Sequence, residues 1–295
     1  MLLNIKEALA YAVDILKKQN IQAPAREAGA LLAFVLKKDL SFIYAHPEGN
    51  LSERHEQEYI DIVAKRSSRM PFQYITNNQE FMSLDFYVDE NCLIPRPDTE
   101  ILVEAALEVI KKYKEPVRVL DIGTGSGAIA VSIAYYAPGT IVDAMDISES
   151  ALRVAAANAR KHRVQGRINF INADFRYYNA EERYNVVISN PPYIPSGDIK
   201  NLMPEVADYE PVLALDGGED GLDFYRAIAS KIKALLTPGG TVLTEVGMGQ
   251  HARVGELLEK EGMHVSVIKD LAGIDRVVIG NFGNIFLKNC IKSPF

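Results

Sequence analysis

Two cysteines are all that the 295-residue chain contains, and Cys92 and Cys290 stand far apart with no CxxC or Cys/His spacing around them. A disulfide framework and a metal site of zinc type are therefore not expected, and a reducing, cytoplasmic setting fits best. Also missing is any run approaching the roughly 20 apolar residues that cross a bilayer, so no membrane span is expected. Cations are in deficit, with 32 Lys and Arg against 39 Asp and Glu and a formal charge of -7. Broad capture of nucleic acid works by displacing counterions with surplus Lys and Arg, so direct nucleic-acid binding is not expected. Low-complexity tracts and internal repeats are absent. The opening residues to Lys18 carry Glu7 and Asp14 inside a helical period, which a secretory signal would not, and they read as a first helix.

What the chain does have is ordinary for a globular protein: 48% apolar residues and enough length for a large domain plus a small one. Apolar residues recur at helical spacing up to about residue 70, from Ile5, Ala8 and Ala12 through Leu31, Leu32 and Val35 to Tyr59, Ile60 and Val63. Pro24 marks the start of a second helix, and Ser52 with Glu53 and Glu56 the start of a later one. From Gln79 to Val88 an imperfect alternation suggests a short hairpin. The proline-marked segment Ile94-Pro95-Arg96-Pro97 then leads into a helix expected from Asp98 to about Tyr113. The expected domains are a helical unit over 1–75, a hairpin and linker over 76–97, and a catalytic domain over 98–295.

Beyond Pro116 strands alternate with helices. Val117–Asp121, Thr140–Asp146, Arg167–Asp174, Tyr184–Asn190 and Thr241–Val246 read as strands. The expected fold class is α/β, a doubly wound Rossmann-like sheet. Met263–Lys269 and Arg276–Phe282 are joined by a turn too short for a parallel crossover, so an antiparallel last strand is expected, as in the methyltransferase variant of this fold.

A glycine-rich loop, Asp121-Ile122-Gly123-Thr124-Gly125-Ser126-Gly127, stands where the first of these strands gives way to a helix, a place where a ligand can approach backbone that lacks a Cβ. Glycine spacing does not name the ligand, since Gly123, Gly125 and Ala128 also satisfy a dinucleotide fingerprint. Asp121 helps to decide. A carboxylate at the loop mouth would repel a pyrophosphate but suits the cationic end of S-adenosylmethionine. Asp146, at the tip of the second strand, can take the ribose hydroxyls of either cofactor, and Asp174 with Phe175 lies where an adenine would be met.

Asn190-Pro191-Pro192-Tyr193 follows the apolar strand Val186-Val187-Ile188 at the carboxyl edge of the sheet. An amide or aromatic-amine nitrogen has its lone pair delocalised and must be oriented toward an electrophilic methyl. The Asn190 oxygen can accept one N–H of such an NH₂ group and the Pro191 carbonyl the other. The prolines fix φ and add no competing N–H, and Tyr193 can stack on the planar group. Asn190, Pro191 and Tyr193 are thus the expected catalytic residues, with Pro192 completing the substrate contact. The device is preorganised approach, with no strong general base.

Taken together, these segments resemble the PrmC/HemK family, bacterial methyltransferases that modify the glutamine of the Gly-Gly-Gln motif in peptide chain release factors. The likeness adds Pro71-Phe72-Gln73-Tyr74-Ile75, Pro95-Arg96-Pro97-Asp98-Thr99-Glu100, Glu210-Pro211, Leu215-Asp216-Gly217-Gly218 to Asp220-Gly221-Leu222, and Asp270-Leu271-Ala272-Gly273-Ile274-Asp275-Arg276. It implies S-adenosylmethionine as cofactor, held at Gly123 to Gly127, Asp146, Phe175 and Asn190, and release factors as partners recognised by the helical front domain. The chain departs from the family in having no tryptophan where relatives carry one at Phe175 and near Met82, in Asp98 where glutamate is common, and in a tail, 284–295, past where many relatives end.

Chemistry alone leaves alternatives open. A ribosomal-protein glutamine methyltransferase shares the loop and tetrapeptide, and amino methyltransferases of DNA or RNA bases use similar motifs on a similar NH₂. A nicotinamide enzyme is disfavoured by Asp121, and a non-catalytic binding protein by the intact motifs.

Overall fold

The computed structural model describes residues 2–283, so the tail 284–295 and Cys290 lie outside the described residues. The chain divides into two compact units, one of residues up to Asn78 with Met203–Tyr209, the other of Gln79–Leu202 with the chain from Glu210 onward.

The first unit is helical: α1 (Ile5–Lys18), α2 (Pro24–Leu36), α3 (Leu40–Ala45), α4 (Glu53–Ser67) and α5 (Phe72–Thr76). Local chemistry sets the helix starts. The Asn4 side chain accepts from the Glu7 amide while the Glu7 carboxylate accepts from the Asn4 amide, and Asp39 and Ser52 cap α3 and α4. Ala8, Ala12 and Leu16 of α1 meet Leu31 and Leu32 of α2 and Tyr59 and Val63 of α4 in one core. Arg66 is buried among charge partners, donating to Glu27 at 2.5 Å and to Glu205 at 3.1 Å. Arg69 donates to the second Glu205 oxygen at 2.7 Å. Paired on both sides, the Arg66 guanidinium stays charged where a lone one would be costly.

The second unit opens with the hairpin of β1 (Gln79–Phe81) and β2 (Leu84–Phe86), turned by Met82 and Ser83 at φ 51° and 56°. Next come α6 (Asp98–Ile110), β3 (Val117–Ile122), α7 (Ala128–Tyr136), β4 (Thr140–Asp146), α8 (Glu149–Lys161), β5 (Ile168–Asn172) and β6 (Tyr184–Ser189). The chain then supplies the short α9 (Pro204–Ala207) to the first unit, and returns as α10 (Asp223–Leu235), β7 (Leu236–Glu245), α11 (His251–Lys260), β8 (His264–Lys269) and β9 (Asp275–Asn281).

The sheet order is β5-β4-β3-β6-β7-β9-β8. Pairings from β5 to β7 are parallel, and β9 runs antiparallel to both β7 and β8. The sheet is thus the doubly wound methyltransferase type, with its last strand antiparallel. Both faces are buried, which is why the central strands are nearly continuous in apolar residues. Val119 and Val186 join one core with α6 and α7, while Leu120 and Val187 join the other with α10 and α11. Two element boundaries differ from expectation by three residues or more. Helix α6 stops at Ile110, and Tyr113 instead donates to the Gly239 carbonyl at 2.9 Å. Strand β7 begins at Leu236 rather than Thr241, because a register shift between Tyr184 and Val186 accommodates Pro238-Gly239-Gly240, which reads as a turn.

Candidate active site

The loop after β3 passes Gly123, Gly125 and Gly127 at φ 75°, 55° and 80°, a region that strains any side chain. A Cβ placed on Gly123 or Gly125 would meet nothing within 4 Å, so both face open space. On Gly127 it would come within 2.9 Å of the Ala155 Cβ, so the third glycine serves the close approach of α7 to α8. The loop is pinned by the amides of Gly123 and Thr124, which both donate to the Met145 carbonyl at 2.9 Å.

At the tip of β4, Asp146 accepts from the Gly125 amide at 2.9 Å and from the Ser148 amide at 2.9 Å, one on each oxygen. A carboxylate oxygen can accept a second hydrogen bond, so both retain capacity for ribose hydroxyls. Burial raises the Asp146 pKa, and the Ser148 and Gly125 amides oppose that rise.

Asp121 is placed differently from expectation. It does not stand at the loop mouth but lies fully buried beneath it, with Oδ2 accepting from the Thr124 hydroxyl at 2.6 Å. Oδ1 is buried outside hydrogen-bonding geometry with any donor. Burial pushes its carboxyl up to about 7, against the opposing effect of the Thr124 hydroxyl. Thr124 and Ser126 are buried too, and the Ser126 carbonyl accepts from Asn158 Nδ2 at 2.9 Å. Thr124, Ser126 and Gly127 therefore support the loop from below and do not form its open face.

That open face borders a cavity of about 390 Å³, within the range of small-molecule sites. Gly123, Gly125, Asp146, Asp174, Phe175 and Asn190 all line it. Phe175 does two things at once, packing in the core beside α10, with the Lys231 ammonium 5.7 Å from its ring centre, while reaching the cavity wall. Asp174 is held below the usual carboxylate range by the Arg176 guanidinium. Sequence reasoning missed Cys92 and the Pro211–Ala214 segment in the same wall. A signal existed for the latter: Val212 and Leu213 are adjacent apolar residues in a stretch with no strand or helix period, and both are exposed.

Asn190 leaves β6 with its Nδ2 donating to the Thr99 hydroxyl oxygen at 3.1 Å, and Pro192 lines the cavity. Pro191 is buried, and Tyr193 is not in the cavity wall. It packs against the core on the α10 side, its carbonyl accepts from Gln250 Nε2 at 2.8 Å, and burial pushes its phenol up to about 12. Glycines clamp the turn. A Cβ on Gly217 would lie 2.9 Å from the Pro192 carbonyl, and one on Gly221 2.3 Å from the Tyr193 carbonyl. Beyond Tyr193, the Ile194 amide donates to Leu215 at 3.0 Å and the Gly217 amide back to Ile194 at 2.9 Å. Two further segments singled out in the sequence meet here, since Arg276 pairs with Asp98 at 2.9 Å and with Asp270 at 2.9 Å.

These residues fit S-adenosylmethionine. Two open glycines leave room for a ligand against the backbone, Asp146 keeps acceptors for a ribose, and Phe175 offers a ring face.

Residues 7–76 match the PrmC N-terminal domain and residues 98–206 the methyltransferase small domain. A release factor glutamine methyltransferase of Clostridium acetobutylicum is 44% identical over 96% of this chain and 100% of its own length. Another, of Geobacter sulfurreducens, is 38% identical over 95% of this chain and 97% of its own. The crystal structure of a methyltransferase from Pyrococcus furiosus, 20% identical, matches 69% of this chain and 91% of that one with a TM-score of 0.50, a likeness of fold. Among the described residues no helix is long and apolar enough to cross a membrane.

Proposed function

We propose, from the premise that this chain belongs to the release factor glutamine methyltransferase family, that it methylates the side-chain amide nitrogen, N5, of the Gly-Gly-Gln glutamine in peptide chain release factors. S-adenosylmethionine supplies the electrophilic methyl group when bound. Gly123, Gly125, Asp146, Asp174 and Phe175 would hold it, with Asp121, Thr124, Ser126 and Gly127 supporting their loop. Every further contribution is one of orientation.

The observation that carries this reading is the commitment of Asn190 Nδ2 to Thr99, because it leaves Oδ1 as the free end of the amide beside the cavity. Oδ1 accepts one N–H of the glutamine NH₂ and the Pro191 carbonyl accepts the other, so the plane of the amide is fixed and its nitrogen faces the methyl. Pro191 and Pro192 stiffen that geometry. Tyr193 is assigned to the planar face of the glutamine, supported by its place directly after the prolines. Once methylated, the nitrogen releases its proton readily, so no strong base is needed.

We assign residues 1–75 to recognition of the release factor, 76–97 to linkage and 98–295 to methyl transfer, supported by the two domain matches. The cytoplasm is the compartment of such a substrate, and the sparse, widely spaced cysteines agree with it.

The test supplies labelled S-adenosylmethionine with, separately, a release factor, its Gly-Gly-Ala version, the glutamine-modified ribosomal protein and DNA. Label is expected on the intact release factor alone. Label on the Gly-Gly-Ala factor, on DNA, or on the ribosomal protein in place of the release factor would overturn the reading.

A further inference from the structure

Two stretches that the sequence keeps apart wall the cofactor cavity. One is the glycine loop, through Gly123 and Gly125, and the other is Asn91-Cys92-Leu93, a few residues beyond the hairpin. Asn158 of α8, fully buried, is bonded to the chain beside each of them. Its Nδ2 donates to the Ser126 carbonyl at 2.9 Å and to the Tyr87 carbonyl at 2.9 Å, and its Oδ1 accepts from the Tyr87 amide at 2.8 Å. A backbone N–H only donates and a carbonyl only accepts, so these bonds fix which end of the side-chain amide is which.

We infer that Asn158 is a positioning residue that sets the spacing of these two walls, and with it the affinity for S-adenosylmethionine. On the first wall the leverage is short. Ser126 follows Gly125, whose amide is held by Asp146 at 2.9 Å, so the chain at Gly125 is pinned on both sides. Gly127 in turn lies against Ala155, three residues before Asn158 and on the same face of α8. One helix thus holds the loop at two points.

On the second wall, Tyr87 stands one residue past the last pair of the β1–β2 hairpin, and the Asn158 side chain bonds its amide and its carbonyl as a neighbouring strand would. From Tyr87 the chain runs stiffly to the cavity. Val88 and Cys92 are buried, the Cys92 amide donates to the Asp89 carbonyl at 3.2 Å, and the Asn91 amide donates to Asp89 Oδ1 at 3.0 Å. Asn158 does not itself line the cavity, so it acts through what it holds. Walls already held apart at the right distance need no ordering when the ligand enters, and that saving appears as affinity. The inference rests on the placing of S-adenosylmethionine in this cavity, proposed above.

The experiment reads S-adenosylmethionine affinity by calorimetry beside kcat at saturating cofactor and release factor. Asn158→Asp keeps the size and the acceptor for Tyr87. Protonated or not, its carboxyl offers at most one proton where the amide offers two, so it cannot serve both carbonyls. It is expected to bind cofactor about tenfold or more weakly, with kcat within about twofold. Leu93→Ala should cost less affinity in the Asn158→Asp background than in the wild type, because the wall it belongs to is already displaced. Ala159→Gly, at the next residue of the same helix and equally buried, loosens α8 away from the cavity and should keep affinity within about twofold. Wild-type affinity in Asn158→Asp, additive losses with Leu93→Ala, or an equal loss in Ala159→Gly would each overturn the inference. Should Asn158→Asp not fold, Asn158→Ser, which also carries a single proton, decides, and wild-type affinity in it overturns the proposal. Unaltered affinity in Asp146→Ala would instead strike at the placing of the cofactor.

Discussion

A Cβ on Gly221 would stand 2.3 Å from the carbonyl oxygen of Tyr193, and Gly221 holds φ at 74°. The glycine is therefore needed twice, for its backbone conformation and for the room it leaves beside the tetrapeptide. Gly221→Ala is expected to destabilise by about 2–4 kcal/mol and to lower activity in the fraction that folds. Gly239, at φ 76° with nothing within 4 Å of a Cβ, provides the comparison, and Gly239→Ala should cost only about 1 kcal/mol. Urea unfolding of both variants checks the difference, and equal losses would refute the clamp.

Removing the acceptor of Asn190 should separate chemistry from binding. Asn190→Ala is expected to lower kcat on order of a hundredfold or more, while S-adenosylmethionine affinity changes only a few-fold. Single-turnover kinetics with calorimetry measures both. A variant that fails to fold would make the turn structural instead.

Asp146 is expected to act mainly on the cofactor. Asp146→Ala removes the acceptor of the Gly125 amide as well as the candidate ribose partner, so affinity should fall about tenfold or more. Calorimetric affinity equal to wild type would remove Asp146 from the site.

The buried carboxyl of Asp121 makes a pH prediction. Its folded pKa is about 7, well above the ordinary value near 3.8, so between about pH 4 and 7 the folded chain binds the proton that the unfolded chain has lost. Its contribution to stability is greatest below that window and declines as pH rises through it, by at most about 1.4 kcal/mol per unit. Glu245, also pushed up to about 7 by burial, acts in the same direction. Carboxylates held low, such as Asp216 and Asp270, lose their contribution only as pH falls into the acid range. Unfolding free energies of wild type and Asp121→Asn, measured from pH 4.5 to 8, should converge or cross because only the wild type keeps the Asp121 slope. Parallel curves would contradict the assignment.

The order of strands and helices, the glycine loop and Asn190-Pro191-Pro192-Tyr193 were legible in the sequence because each rests on local periodicity or on residue types with few alternative uses. The antiparallel ending followed from nothing more than the shortness of the turn before Arg276. Local reading failed where the cause was distant. Asp121 sits at the end of a strand, and strand position alone does not tell whether its carboxylate meets solvent or lies sealed under Thr124. The start of β7 was hidden by Pro238-Gly239-Gly240, whose turn character a register shift against β6 overrides. Met203–Tyr209 joins the first unit through Glu205 and its arginines, a partnership across more than a hundred residues that carries no local signal.

What the sequence determined by itself was the set of groups available: open glycines, a strand-tip carboxylate, and an amide between a strand and two prolines. What only the tertiary structure decided was their direction. Asn190 could present either end of its amide, and in the folded chain its Nδ2 meets the Thr99 hydroxyl, on α6, 91 residues earlier in the sequence. Hydrogen bonds are directional and indifferent to sequence separation, so the polarity of a site is settled only when the chain has folded.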